Sequence, residues 1–146
     1  MFQEYSEIEI QKSGWIEIIT GSMFSGKTEE LIRRIQISEI SEPNVKVFKP
    51  KVDNRYAEDE IVTHSKVSIK CISVESSSEL FRMARNSKIV GIDEAQFFDE
   101  GIIKVCNDLA NMGIRVIVAG LDMDFLGNPF GPMPNLMAVA EFVTKV

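Results

Sequence analysis

At 146 residues the chain is long enough for one domain with a core of its own. Its 45% apolar and 26% charged residues describe an ordinary globular protein and exclude a disordered one. A formal net charge of −6 speaks against a nucleic-acid partner, while a small anion can still be held by local amides and one or two cations.

Residues 1–13 are polar with scattered apolar positions and are expected to form a flexible leader ahead of one domain, 14–146. They lack the basic start and apolar core of a secretion signal, and no apolar run reaches membrane-spanning length, so a cytoplasmic protein with no membrane partner is expected. Trp15–Thr20 (WIEIIT) is β-rich and breaks at Gly21, as a buried strand does. Thr28 to about Ser38 places Leu31, Ile32 and Ile35 at helical spacing, with acids in the first turn and arginines later. Val45–Pro50 predicts a second strand, and Lys51–Ser68 a polar loop. SIKCISV, around Cys71, predicts a third strand. Cys71 and Cys106 have no CxxC partner, so buried reduced thiols are expected and no zinc site is assigned.

Ser76-Ser77-Ser78-Glu79 reads as a capping box opening a helix through Arg85. Ile89–Ile92 predicts a strand that ends in acids, and Asp99–Met112 a helix stopped by Gly113. IRVIVAGLD predicts a buried strand, NLMAVAEF a short helix, and FVTKV a last strand. Continuous apolar strands alternating with helices imply an α/β fold: a mostly parallel sheet with helices on both faces.

Gly21-Ser22-Met23-Phe24-Ser25-Gly26-Lys27-Thr28 matches G-x-x-x-x-G-K-[ST], between a predicted strand and a predicted helix. The glycines let successive N–H groups turn toward phosphate oxygens, and the helix adds its positive end. Lys27 would neutralise the β and γ phosphates of ATP, and the Thr28 hydroxyl would ligate Mg²⁺. The metal shell needs a second acid at the end of a neighbouring strand, and Asp93 fits. Glu94 follows it at the mouth of the sheet, where a carboxylate can take a proton from an attacking oxygen. Spacing leaves open whether that oxygen belongs to an alcohol or to water.

TGSMFSGKTEEL, VFKPKVDNRY, VTHS, VGIDEAQFF and VIVAGLDMDFLGNPFGPMPNLMAVAE, in this order, resemble the type II thymidine kinases from about Trp15 to Val146. The resemblance implies a RecA-like P-loop domain that moves the γ-phosphoryl of ATP to the 5′-hydroxyl of thymidine. It implies phosphate binding by Gly21–Thr28, Mg²⁺ at Thr28 and Asp93, and Glu94 as general base. It places Asp53, Asn54 and Arg55 near the phosphates, with Arg55 stabilising the transferring charge, and Ala95 and Gln96 beside the nucleotide. Met23, Phe97, Leu121 and Phe125 match the walls of the thymine pocket. From composition alone all four would be core residues. His64 matches a family position, and Gly127–Pro134 would shape the pocket rim. In the family a zinc-bound segment and a loop over the nucleoside follow the point at which this sequence ends, so neither can be carried over. Homo-oligomers (tetramer or dimer) and feedback inhibition by thymidine triphosphate, dTTP, are also implied.

Two other readings stand beside this one. A nucleotide-binding or ATP-hydrolysing module would share the P-loop without transferring phosphate to a nucleoside. A GTPase would need an [NT]-K-x-D motif, which does not appear.

Overall fold

A computed structural model describes residues 14–52, 60–62 and 68–146. The expectations for the leader 1–13, for Asp53, Asn54 and Arg55, and for His64 lie outside the described residues.

The elements run β1 (Trp15–Gly21), α1 (Lys27–Ser41), β2 (Val45–Pro50), β3 (Glu60–Val62), β4 (Ser68–Lys70), β5 (Ile72–Val74) and α2 (Ser77–Ala84). They continue with β6 (Ile89–Ile92), a 3₁₀ turn (Ala95–Phe97), α3 (Gly101–Asn111), β7 (Arg115–Leu121), α4 (Met133–Val139) and β8 (Phe142–Lys145). Six strands form one sheet in the order β5-β2-β6-β7-β1-β8. Every pairing in it is parallel.

The sheet is covered on both faces because its central strands are apolar on both. Ile16, Ile18, Val116 and Val118 point into one core with Leu80 of α2, Ile102, Cys106 and Leu109 of α3, and Leu136 of α4. Ile19, Ile117 and Ala119 alternate to the other face, beneath Leu31, Ile32 and Ile35 of α1. Burying one such isoleucine is worth roughly 2 kcal/mol, so these two layers fix the register of the strands that carry the site. Cys71 and Cys106 are both buried, and burial pushes the Cys106 thiol up to about 12, which leaves it inert.

Four expectations change. SIKCISV is not one strand: it divides at Cys71, and its halves enter different sheets. The predicted loop 51–68 contains β3, which pairs antiparallel with β4. Helix α4 begins at Met133 rather than at Asn135, because Pro132 and Pro134 fit a first turn that needs no N–H donor. It ends before Phe142, which belongs to β8. Asp93 follows a strand that does not adjoin β1, since β7 lies between β1 and β6.

The capping box forms at Ser76, with only its return bond displaced by one residue. Ser76 Oγ accepts from Glu79 N at 3.2 Å, while Glu79 Oε2 accepts from Glu75 N at 2.8 Å.

Candidate active site

The site lies at the carboxyl end of the central strands. Gly21–Thr28 joins β1 to α1, and the ends of β1 and β7 are tied beneath it where Thr20 Oγ1 donates to the Gly120 carbonyl at 3.0 Å. Gly26 is the N-cap of α1 at φ 98°, a conformation open to glycine without steric cost. Phe24 takes φ 63° in the same loop and Glu94 takes φ 52° across from it, the two non-glycine residues with positive φ among those described. Strain of this kind is held only where the surrounding structure over-determines it, and both instances border one cleft.

That cleft has a volume of about 360 Å³, within the range of small-molecule sites. Met23, Phe24, Lys27, Thr28, Glu94 and Phe97 are among its lining residues, as are Leu121 and Gln96. Lys27 Nζ donates to the Ser22 carbonyl at 2.6 Å, which holds the ammonium against the loop. Burial lowers its pKa, opposed by the charges of Glu94, Asp93 and Asp122.

Asp93 directly follows β6, with 5% of its surface exposed. Its Oδ2 accepts from Thr28 Oγ1 at 3.4 Å and its Oδ1 from Glu94 N at 2.9 Å. Burial, reinforced by the neighbouring Glu94 charge, pushes the carboxyl up to about 6. Thr28 and Asp93 therefore bring together a hydroxyl and a buried carboxylate with too little positive charge around it. This hard oxygen pair fits Mg²⁺, which takes one or two protein ligands and completes its shell from substrate phosphates and water. No group of three potential metal-binding His, Cys, Asp or Glu side chains occurs among the described residues.

Glu94 is exposed to the cleft. Its Oε2 accepts from Gln96 Nε2 at 2.7 Å, and Gln96 Oε1 accepts from Leu121 N at 3.0 Å. Gln96 thus borders the cleft, and both ends of its amide are engaged within the protein. Ala95, the first residue of the 3₁₀ turn, is fully buried in the core, which removes it from the nucleotide-contacting set.

The apolar wall also differs from expectation. Met23, Phe97 and Leu121 line the cleft, and Phe97 packs edge-on to Phe130 with ring centroids 5.4 Å apart. Phe125 is 95% exposed and is not among the lining residues. Asp124 organises a turn there, its Oδ1 accepting from Leu126 N and Asn128 N, and the turn presents Phe125 to solvent. None of the four is a core residue. Sequence reading also passed over Asp122, whose ion pair with Lys145 at 2.8 Å pulls its carboxyl below the usual range beside the site. Its partner lies 23 residues on in β8, beyond any local pattern.

A parallel α/β sheet with a phosphate loop, a lysine and two consecutive acids at its carboxyl edge defines a P-loop nucleotide-binding protein. Solved structures agree at the level of fold. The Legionella pneumophila ATPase DotB has a TM-score of 0.52 at 19% identity, with 94% of this chain and 37% of that one covered. Domain III of the Thermotoga maritima replication initiation protein DnaA has a TM-score of 0.52 at 16% identity, with 99% of this chain and 61% of that one covered.

The family model for thymidine kinase matches residues 14–146, and the chain belongs to that family. It is 53% identical to the thymidine kinase of Bacteroides thetaiotaomicron over 146 residues, all of this chain and 73% of the relative. It is 53% identical to that of Rhodothermus sp. over 133 residues, covering 91% of this chain and 62% of the relative.

Proposed function

We propose that this chain transfers the γ-phosphoryl group of ATP to the 5′-hydroxyl of thymidine, giving thymidine monophosphate and ADP. The observation that carries the reading is the Asp93–Glu94 pair: one acid is buried against the Thr28 hydroxyl, the next faces the cleft above the phosphate loop. Family membership supplies the nucleoside.

In this reading the Gly21–Thr28 amides and the amino end of α1 hold the β and γ phosphates. Lys27 exchanges its bond to the Ser22 carbonyl for the phosphate oxygens. Mg²⁺, held by Thr28 and Asp93, would neutralise charge on the transferring group. Glu94 takes the proton of the 5′-hydroxyl as the new O–P bond forms and the bond from Pγ to the ADP oxygen breaks. Met23, Phe97 and Leu121 wall the base. Asp53, Asn54 and Arg55 extend the phosphate site, with Arg55 acting on the developing charge. Feedback by dTTP, homo-oligomeric assembly, a role in supplying DNA synthesis and a cytoplasmic location belong to the same proposal. Among the described residues no helix is long and apolar enough to cross a membrane.

Glu94→Gln should preserve ATP binding while lowering transfer about a hundredfold or more, measured by following thymidine monophosphate and free phosphate separately. Equal transfer by variant and wild type would remove Glu94 from the base role. The exposure of Glu94 favours one second reading, hydrolysis with water as the acceptor. Free phosphate without monophosphate would establish it.

A further inference from the structure

We propose that Gln96 is a positioning residue, which fixes the carboxylate of Glu94 in its catalytic orientation by bracing it against the end of β7. The inference rests on the phosphotransfer reading and assigns to Gln96 a role behind the base.

Gln96 is 3% exposed, and a buried amide must find partners for both of its ends. Its two bonds leave no freedom in how the amide is turned. Leu121 N–H can only donate, so the oxygen must face it, and the NH₂ group is thereby directed at Glu94. Leu121 ends β7, which lies between β6 and β1, so the brace runs from the base to a strand other than its own.

Two glycines show how tightly the brace is held. A Cβ on Gly120 would stand 3.0 Å from Gln96 Oε1 and 2.7 Å from Met133 Sδ. Gly131, at φ 51°, lets the chain ahead of α4 pass the Gln96 backbone so closely that a Cβ would meet its carbonyl oxygen at 2.5 Å. Gln96 is therefore confined from the strand below and from the loop beside it.

The chemistry needs such confinement. Glu94 stands exposed on a left-handed backbone, and its side chain has several rotatable bonds with which to wander into solvent. Occupying Oε2 with a charge-assisted bond selects one rotamer and leaves Oε1 to receive the proton of the acceptor hydroxyl. Loss of alignment at a reacting centre can cost about two orders of magnitude in rate.

Two variants separate positioning from folding. Gln96→Met removes both bonds. Gln96→Glu keeps an acceptor for Leu121 N–H but replaces the donor facing Glu94 with a like charge. Both should lower kcat for transfer by roughly 10- to 100-fold while KM for ATP stays within about twofold. In a Glu94→Ala background neither should lower it further. Additive losses in that background, or a raised KM for ATP at unchanged kcat, would overturn the proposal. Should wild type give no monophosphate, the phosphotransfer reading fails by itself. The brace is then tested by NMR, where Glu94→Ala should shift the side-chain amide protons of Gln96. An unshifted Gln96 amide would sink it.

Discussion

Two buried carboxylates, one at each end of the central sheet, meet opposite fates. Glu17, in β1, is 5% exposed, and so is Asp93, after β6. Burial alone would raise the pKa of both. Around Glu17 it is outweighed. Arg115 donates through Nε at 2.8 Å and Nη2 at 3.0 Å, Trp15 Nε1 at 2.6 Å and Arg34 Nη1 at 3.0 Å. Its carboxyl is held below the ordinary range. Asp93 has a hydroxyl, one amide and a neighbouring acid, and is pushed up to about 6. The amino end of the sheet is electrostatically complete. The carboxyl end is left short of positive charge, which suits a place where a cation and a nucleotide are to be bound.

The largest effect should come from breaking the complete end. Glu17→Ala would leave Arg115 and Arg34 facing each other across a partly buried space, and should destabilise the fold by about 3 kcal/mol in urea unfolding. A change under about 0.5 kcal/mol would mean that solvent already satisfies the arginines. The incomplete end should respond with the opposite sign. A carboxyl moved from 3.8 to about 6 weighs on the fold, when ionised, by up to about 3 kcal/mol. Asp93→Asn should therefore stabilise the chain by about 1–3 kcal/mol at pH 7.5 with EDTA present, while abolishing transfer. Destabilisation by Asp93→Asn would show that the charge of the native carboxylate is already compensated.

The difference between the two ends also marks what can be read from sequence. The phosphate loop was legible because its chemistry is local: spacing alone sets Gly21, Gly26, Lys27 and Thr28 around one turn. The strands were legible as apolar runs, and both helical layers followed from periodicity. Glu17 was not, because one acid inside WIEIIT carries no sign of partners at positions 34 and 115. Gln96 was placed near the nucleotide by resemblance, yet its partner Leu121 lies 25 residues away and bonds through backbone, which no side-chain pattern records. Ala95 was drawn into the site by its neighbours in DEAQ, whereas the 3₁₀ turn buries it. SIKCISV misled for a related reason. Its β propensity is continuous, but pairing partners decide the sheet, and β4 and β5 find different ones.

The smallest of these effects is also the most direct test of the contrast, because the two acids should leave pH signatures of opposite sense. Glu17 titrates lower in the folded chain than in the unfolded one, so its contribution is present above about pH 4.5 and is lost as pH falls through the lowered folded value. The stability gap between wild type and Glu17→Gln should therefore narrow from pH 5 toward pH 3. Asp93 titrates higher in the folded chain, so its ionisation weakens the fold progressively from about pH 4 to about pH 6 and by a constant amount above. The gain from Asp93→Asn should be near zero at pH 4 and complete by pH 7. Urea midpoints for the three proteins across this range would read both trends at once. Stability differences from wild type that change with the same sign as pH rises would mean that a common unfolded-state titration sets both, and that the ends of the sheet are not electrostatically distinct.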